Sequence, residues 1–357
     1  MTRGVVFAEP GAAPAVEEIT VEAPGPGEVR VRIEACGVCH TDLHVVETGG
    51  WGLRFPILLG HEGAGTVEEV GDGVTSVSPG DRVVIAWRAP CGDSCRACRR
   101  GDLRRCSNNL RIRSRMFRAD GTRLAPVLRC GTYADAVVVH EACAVRMPDA
   151  LPLEQACLLA CGFSTGAGAA LWATPVAPGS SVAVIGCGGV GLAVVQGARL
   201  AGAATIVAVD VVPEKLELAL QLGATHAVHA ENAVAEVREL TDGVDYAFSA
   251  ITAPAGLLDA VRMCAYAGTA TLVGVPPPKR TLDVDIERDL FGPKVAIAVT
   301  HGGDTIPQQD FPFLAQAALD GELDLDRFVT KTIGLDDVPA ALEELHAPKG
   351  VRTVVKL

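Results

Sequence analysis

The feature that most constrains this chain is a segment with a strand–turn–helix pattern at residues 181–195, SVAVIGCGGVGLAVV. Its first apolar residues, 182–185, are typical of a buried parallel strand. The turn that follows consists of Gly186, Cys187, Gly188, Gly189, Val190 and Gly191. Gly186 permits a tight turn, Gly188 lets the backbone approach a pyrophosphate, and Gly191 lets the helix pack closely on the strand. The helix N-terminus adds free N–H groups and partial positive charge, which favour phosphate binding.

A carboxylate follows at the distance that a dinucleotide site requires. A second apolar strand, predicted at 205–209, ends at Asp210, about 20 residues after the glycines, where a carboxylate accepts hydrogen bonds from the ribose hydroxyls of NAD. A glycine turn alone also occurs as an ordinary strand–helix connection. The turn and Asp210 together predict a dinucleotide-binding fold.

Length and charge restrict the class of protein. A chain of 357 residues favours two domains. The net charge is −12 and no basic run outweighs it, so nucleic acid and anionic membranes are poor partners. The N-terminus has no signal-peptide pattern and no apolar run has the length of a membrane span, so we expect a cytoplasmic protein. Its 12 cysteines are then better explained as metal ligands and buried side chains than as disulfides.

The first part of the chain has the pattern of an antiparallel β domain that carries metal-ligand residues. Residues 4–8 and 28–35 read as strands separated by a Pro-Gly turn cluster. Residues 36–44, CGVCHTDLH, concentrate cysteine and histidine, and a Gly-His-Glu sequence follows at 60–62. An isolated Cys or His is more often a buried core residue, but this density favours a metal site.

Four cysteines close together predict a second metal site. They are Cys91, Cys95, Cys98 and Cys106. A closed tetrahedral zinc site is the favoured interpretation, and a redox cluster with a separate electron partner is the alternative.

The segment that follows the four cysteines, residues 107–129, is rich in arginine. Its arginines are Arg111, Arg113, Arg115, Arg118, Arg123 and Arg129. They fit either a solvated loop or a contact with an anionic part of a substrate.

From residue 181 to about 298, strand and helix patterns alternate, which predicts a doubly wound parallel sheet. Strands are predicted at 182–185, 206–209, 227–228, 246–249, 269–273 and 295–299. A helix pattern at 152–159 leads to Cys161, which by spacing alone is equally a third metal ligand or a packing residue. The closing residues, 352–357, read as a strand that we expect to rejoin the first domain.

Over essentially its full length the chain resembles the zinc-dependent medium-chain alcohol dehydrogenases. The resemblance lies in residues 37–42 and 60–62, the four-cysteine segment, residues 161–166, the glycine turn with Asp210, and Arg352. Residues 84–89, 326–329 and 333–338 look most like actinobacterial members, including the S-(hydroxymethyl)mycothiol dehydrogenases. The resemblance implies a GroES-like β catalytic domain at 1–162 and 300–357, and a Rossmann NAD-binding domain at 163–299.

The resemblance also implies two zinc ions per chain. One is a catalytic zinc held by Cys39, His61 and Cys161, with a fourth position open for water or substrate. Asp42 then orients His61, and Glu62 lies behind the metal as a transient ligand. The other is a structural zinc held by the four-cysteine segment, in which the first gap has three residues instead of the family's usual two. The remaining catalytic roles implied are those of Thr41 and His44, which pass the proton of the substrate hydroxyl to solvent.

Further residues match the family's cofactor and substrate positions. Asp210 and Lys215 are implied to contact the adenosine ribose, with NAD preferred over NADP. The other implied cofactor contacts are His40 and Arg352 at the pyrophosphate, Thr165 and Val190 beside the nicotinamide, and the backbone of Val273 and Val275 at its carboxamide. Trp87 and Trp51 are implied as walls of the substrate pocket.

The sequence leaves several functions open. The first is an NAD-linked oxidoreductase that interconverts alcohols with aldehydes or ketones. The alternatives are a thiol-dependent formaldehyde dehydrogenase, whose residues for a bulky anionic carrier are not matched here, a biosynthetic aldehyde reductase, and a catalytically silent dinucleotide-binding protein. We expect a homodimer through the edge strands near 290–300, or a tetramer.

Overall fold

The computed structural model describes residues 2–107, 110, 112–346 and 350–357. They form two compact units, one of Met1–Cys161 with Ile306–Leu357 and the other of Gly162–Thr305. We call them unit 1 and unit 2.

Unit 1 begins with mostly antiparallel β structure. Its elements in this part are β1 (Thr2–Phe7), β2 (Ala15–Val21), β3 (Glu28–Gly37), α1 (His40–Glu47), β4 (Ile57–Leu58), β5 (Gly63–Val70), β6 (Arg82–Ile85), β7 (Met116–Arg118), β8 (Ala125–Pro126), β9 (Ala136–His140), β10 (Ala144–Arg146) and α2 (Leu153–Ala156). Strand β3 shows why the sheet forms here, because Val29, Val31 and Ile33 are at most 1% exposed and alternate with more polar residues.

Unit 2 contains a parallel sheet covered by helices. Its elements are α3 (Gly162–Gly168), β11 (Ser181–Ile185), α4 (Gly189–Leu200), β12 (Thr205–Asp210), α5 (Pro213–Gln221), β13 (His226–His229), α6 (Ala233–Thr241), β14 (Val244–Ser249), α7 (Pro254–Met263), β15 (Cys264–Leu272) and β16 (Ala296–Val299). The strand order is β13-β12-β11-β14-β15-β16, and every neighbouring pair is parallel. The predicted doubly wound sheet is therefore confirmed. Helix α7 was not predicted.

The chain then returns to unit 1 through α8 (Pro307–Leu319), β17 (Val329–Ile333), α9 (Val338–Glu344) and β18 (Arg352–Lys356). Strand β18 pairs antiparallel with β3 and parallel with β17. It thereby joins a sheet of order β10-β6-β5-β3-β18-β17, in which β9 also pairs with β3. A second sheet of unit 1 has the order β7-β2-β1-β4-β8.

Within the described ranges, no single helix is both long and apolar enough to cross a membrane. Only the bent pair Leu153–Ala160 and Gly162–Ala173, taken together, reaches the required length and composition.

Candidate metal centres and dinucleotide site

Four potential ligands from separate parts of unit 1 lie together. The ligand atoms of Cys39, His61, Glu62 and Cys161 are all within 4.8 Å of one another. Cys39 immediately precedes α1, the His-Glu pair lies between β4 and β5, and Cys161 ends the segment that follows α2. His61 and Glu62 are fully buried. The fold thus assembles the residues that the sequence marked as candidates.

This cluster fits a zinc ion. The Nδ1 atom of His61 lies 3.0 Å from Oδ2 of Asp42, while none of the described residues hydrogen-bonds Nε2. A buried imidazole nitrogen without a partner is costly, and a metal bound at Nε2 would satisfy it. Two thiols and one imidazole are a donor set that zinc prefers, and they leave a fourth position open.

Burial and neighbouring groups shift the pKa values of the residues in this cluster. The hydrogen bond between the two thiols lowers the pKa of Cys39 and raises that of Cys161. Burial would lower the pKa of His61, but the Asp42 carboxylate and the Cys39 thiol outweigh it and raise that pKa. Burial raises the pKa of Glu62 to about 7. Each of these shifts follows from burial and from the neighbouring groups of one small cluster.

A buried hydrogen-bond network supports His61. The Oδ1 atom of Asp42 accepts a hydrogen bond from the Gly60 N–H at 2.8 Å. Oδ2 of Asp42 lies 3.2 Å from the hydroxyl of Tyr133, which also lies 3.2 Å from the Gly37 carbonyl. The sequence does not mark Tyr133 as a site residue, because nothing in its neighbours indicates a contact with Asp42.

Arg352 lies beside Glu62. Its Nη1 is 3.5 Å from Oε1 of Glu62 and donates to the Val38 carbonyl at 2.8 Å. The pyrophosphate contact expected for Arg352 stays a prediction.

The predicted proton relay and pocket residues are placed as follows. Thr41 and His44 lie three residues apart on α1 and both are half-buried. His40 is exposed, with Nε2 3.1 Å from the Leu345 carbonyl. Trp87 packs against the core of unit 1, and Trp51 is 42% exposed.

The four-cysteine segment forms a compact second cluster. The sulfur atoms of Cys91, Cys95, Cys98 and Cys106 lie within 4.8 Å of one another and are almost fully buried. Backbone N–H groups point at two of them, with Cys91 N 3.3 Å from Cys106 Sγ and Cys98 N 3.4 Å from Cys95 Sγ. The hydrogen bond from the Cys98 backbone is the main reason that the pKa of Cys95 falls to about 5. Four converging sulfurs fit a closed zinc site, and the extra residue in the first gap does not keep them apart.

Several arginines of the basic segment have partners within unit 1. Arg115 pairs with Glu28, and Arg118 forms two hydrogen bonds with Glu17 at 2.8 and 3.0 Å. Arg123 donates to the Ser114 carbonyl and lies 4.4 Å from the centre of the Phe117 ring. Arg113 is exposed and Arg129 is half-buried. Arg111 lies outside the described residues.

The glycine turn in unit 2 has an open surface. A Cβ atom at Gly188 would meet no atom within 4 Å, so the backbone there is free to approach a ligand. At Gly191 a Cβ would collide with the Gly186 carbonyl, which is why α4 packs directly against the end of β11. The open backbone at Gly188 and the close packing at Gly191 are the features that the sequence predicted for these two glycines.

Asp210 is fixed at the end of β12 next to this turn. Its Oδ2 accepts a hydrogen bond from Cys187 N at 2.6 Å, and its Oδ1 accepts one from Val212 N at 3.0 Å. Lys215 lies on α5, half-buried. The carboxylate therefore has a defined position beside the turn, as a dinucleotide site requires.

The remaining cofactor candidates also lie in unit 2. Thr165 is 9% exposed on α3, whereas Gly189 and Val190 are half-buried at the start of α4. The Val273 N–H donates to the Ser249 carbonyl at 2.9 Å, and Val275 is 49% exposed. Their contacts with a nicotinamide ring stay predictions.

Comparison with known proteins agrees with this fold. Residues 25–149 match the alcohol dehydrogenase GroES-like domain, and residues 189–320 match the zinc-binding dehydrogenase domain. A structure described as an alcohol dehydrogenase zinc-binding domain protein from Burkholderia ambifaria is 34% identical, with a TM-score of 0.93, covering 100% of this chain and 98% of that chain. Benzyl alcohol dehydrogenase from Acinetobacter calcoaceticus is 30% identical, with a TM-score of 0.91, covering 100% and 99%.

A third similar structure was determined with a cofactor. It is described as a zinc-binding dehydrogenase from Sinorhizobium meliloti 1021 bound to NADP, and is 25% identical, with a TM-score of 0.84, covering 100% of this chain and 99% of that chain. The fold and these similarities place the chain among the zinc-binding dehydrogenases, a class of oxidoreductases. More closely, the chain belongs to the zinc-dependent medium-chain alcohol dehydrogenase family.

Proposed function

We propose that this protein is an NAD-linked alcohol dehydrogenase that interconverts alcohols with aldehydes or ketones by hydride transfer. The observation that carries the proposal is the buried donor set of Cys39, His61 and Cys161, with His61 Nε2 lacking any hydrogen-bond partner among the described residues. Unit 2 adds the open glycine turn and its fixed carboxylate. The similarity to benzyl alcohol dehydrogenase supports an alcohol substrate.

The residues of unit 1 suit the proton and charge movements of this reaction. When bound, zinc acts as a Lewis acid toward the substrate oxygen, and the nicotinamide ring takes up or returns the hydride. Thr41 is proposed to accept the proton of the substrate hydroxyl, and His44 to pass a proton to solvent. Residues three apart on a helix share a face, so Thr41 and His44 lie on the same side of α1. The Glu62 carboxyl, with its pKa of about 7, is a further donor that can approach the metal.

Asp210 supports NAD as the cofactor. Both of its carboxylate oxygens are held by backbone N–H groups, so the side chain cannot turn away from an incoming charge. Two like charges 4 Å apart repel by about 4 kcal/mol at an effective dielectric constant of 20. A 2′-phosphate beside this carboxylate would meet that repulsion, whereas a ribose hydroxyl would donate a hydrogen bond.

A second zinc ion is proposed at the four-cysteine cluster. Its sulfurs already converge, and two of them accept backbone N–H hydrogen bonds, which favour the thiolate form that zinc binds. Metal analysis of protein prepared with zinc is expected to return about two ions per chain. A value near one would mean that one of the two clusters does not hold zinc.

A homodimer through the edge of the unit 2 sheet is also proposed. Strand β16 is the last strand of that sheet, and Ile297 and Val299 on it are 39% and 58% exposed. Nearby in the same unit, Tyr266, Ile286 and Phe291 are 70–80% exposed and line one apolar depression. Pairing of this edge with a second copy would cover them. Light scattering at micromolar concentration tests this, and a monomer would contradict it.

A substrate panel tests the proposed activity. Aliphatic and aromatic alcohols, their aldehydes and formaldehyde are each assayed with NAD(H) and NADP(H), with and without mycothiol, following nicotinamide absorbance. We expect turnover of plain alcohols with NAD and no dependence on the thiol. Formaldehyde oxidation only in the presence of the thiol would instead favour the thiol-dependent dehydrogenase. The ion pairs of Arg115 and Arg118 within unit 1 argue against their binding an anionic carrier.

A further inference from the structure

We propose that Tyr133 is a positioning residue for the metal site of Cys39, His61 and Cys161. Its hydroxyl holds the Asp42 carboxylate in the orientation from which that carboxylate directs His61 toward the metal. The inference rests on the proposed zinc at this site.

Tyr133 contacts Asp42, which in turn contacts His61. The phenol is fully buried, and its oxygen lies 3.2 Å from Asp42 Oδ2 and 3.2 Å from the Gly37 carbonyl. Because a phenol carries one proton, it donates to one of these acceptors at a time. Oδ2 is also the oxygen that lies 3.0 Å from His61 Nδ1. The phenol and the imidazole thus meet at the same carboxylate oxygen.

A buried carboxylate needs such fixed donors. Asp42 is 0% exposed, so each of its oxygens must be satisfied within the protein. The carboxylate torsion has a broad minimum, so one contact does not set its plane. The Gly60 N–H holds Oδ1 at 2.8 Å and Tyr133 holds Oδ2, which together fix the plane. The imidazole proton then stays on Nδ1, and the Nε2 lone pair of His61 is directed at the metal.

The Tyr133 backbone is itself held firmly between segments that carry ligands. Its N–H donates to the Leu59 carbonyl at 3.0 Å, and its carbonyl accepts from Val5 N at 2.8 Å. Gly60, directly before His61, has a φ of 92° and leaves room for the Tyr133 backbone, since a Cβ there would collide with Tyr133 N. Gly37, which faces the phenol, lies two residues before Cys39. Tyr133 therefore connects the segments that carry two of the proposed ligands.

The first test removes only the hydroxyl. Tyr133→Phe and a matched control, Thr132→Val, are compared with the wild type. Thr132 is also fully buried, and its hydroxyl lies 3.2 Å from Cys36 Sγ. The readouts are the zinc affinity of the folded protein, by chelator competition, and the d–d absorption bands of the cobalt-substituted enzyme. The four-cysteine site should keep its metal in all three proteins.

We expect Tyr133→Phe to weaken zinc binding at the Cys39 site about 10- to 100-fold, the range for the loss of a residue that supports a metal ligand, and to shift the cobalt bands. Thr132→Val should match the wild type. In an Asp42→Asn background, Tyr133→Phe should add little, because the tyrosine acts through Asp42. Wild-type affinity and bands in Tyr133→Phe, an equal loss in Thr132→Val, or full additivity with Asp42→Asn would each overturn the inference.

A second measurement avoids any folding defect of Tyr133→Phe. The chain has 3 tyrosines, so 3-fluorotyrosine labelling yields a simple ¹⁹F spectrum, assigned with Tyr246→Phe and Tyr266→Phe. We expect the Tyr133 resonance to move when zinc is removed from the Cys39 site and to return when zinc is restored. A resonance that does not respond would overturn the inference. Wild-type protein that takes up no zinc at this site would contradict the proposed function as well, whereas equal binding by Tyr133→Phe would contradict this inference alone.

Discussion

An ion pair between Arg104 and Asp310 ties the four-cysteine segment to helix α8, and we expect its loss to destabilise unit 1. Nη1 of Arg104 lies 2.6 Å from Asp310 Oδ2, and Nη2 lies 3.1 Å from Oδ1, so two hydrogen bonds run in parallel. Asp310 Oδ2 also accepts a hydrogen bond from Ile306 N at 2.6 Å, where the chain re-enters unit 1. The perturbation is Arg104→Ala.

The burial of the two partners sets the magnitude. The Asp310 side chain is 6% exposed and that of Arg104 is 29% exposed. Breaking a fully buried pair costs about 3–5 kcal/mol, because it leaves one charge uncompensated. An exposed pair contributes about 0–1 kcal/mol. This pair lies between the two cases, so Arg104→Ala should cost about 2 kcal/mol, which for a unit of this size lowers the Tm by about 4–8 °C.

Calorimetry of the zinc-loaded protein measures this effect. The matched control is Arg105→Ala, because Arg105 belongs to the same segment but is 81% exposed and faces Asp102 at 3.7 Å. The control should change stability by less than about 0.5 kcal/mol. A double-mutant cycle of Arg104→Ala with Asp310→Asn should give a coupling of about 1–2 kcal/mol. If Arg104→Ala destabilises no more than Arg105→Ala, the assignment of this pair as a tether is wrong.

Three other predictions can be checked directly. Cys39→Ser should abolish turnover and reduce zinc from about two to about one ion per chain while NADH binding is kept, and wild-type rates would refute its role as a ligand. Asp210→Asn should raise the affinity for NADP relative to NAD about 10- to 100-fold, because it removes a repulsion of the phosphate that solvent and salt screen to below about 4 kcal/mol. An unchanged ratio would contradict the cofactor assignment. Hydrogen bonds from Arg288 and Arg262 hold the pKa of Asp289 below its usual range. The ionised Asp289 side chain therefore contributes its full stabilisation above the ordinary carboxyl pKa of about 4, and this stabilisation is lost as the pH falls further. The amount by which Asp289→Asn lowers the Tm should thus be constant from about pH 5 to 7 and should shrink below about pH 4. A deficit that persists unchanged into strong acid would contradict it.

The elements that the sequence predicted well are those whose pattern is local. The dinucleotide-binding pattern lies within about 30 residues, the size of one βαβ unit, and consists of the apolar run before Gly186, the glycines and Asp210. The role of each part depends on the local backbone conformation and not on distant contacts. The predicted strands of unit 2 overlap the observed ones, and their ends differ by at most five residues. Helix α7 was missed. It opens Pro254-Ala-Gly-Leu-Leu, where proline and glycine weaken the helical signal although the proline occupies the first turn, where it is tolerated.

For the metal clusters, the sequence supplied the ligand types and the fold decided which of them meet. Cys39 stands out because cysteine and histidine are dense in residues 36–44, and His61 because a Gly-His-Glu sequence follows that segment. By spacing alone, Cys161 could not be told from a packing cysteine, and only the fold brings its sulfur within 4.8 Å of the other donors. Cys36, three residues before Cys39, is instead buried beside Thr132.

The sequence by itself determined the periodic elements, the glycine turn with its carboxylate, and the sets of cysteine and histidine able to bind metal. Only the tertiary structure decided that Tyr133 supports Asp42, that Arg104 reaches Asp310, and that Arg118 pairs with Glu17. The physical reason is the range of the interactions. Backbone propensity and hydrophobic periodicity act between neighbours in the chain, whereas these contacts join residues 91 to 206 positions apart and exist only after the sheets have formed.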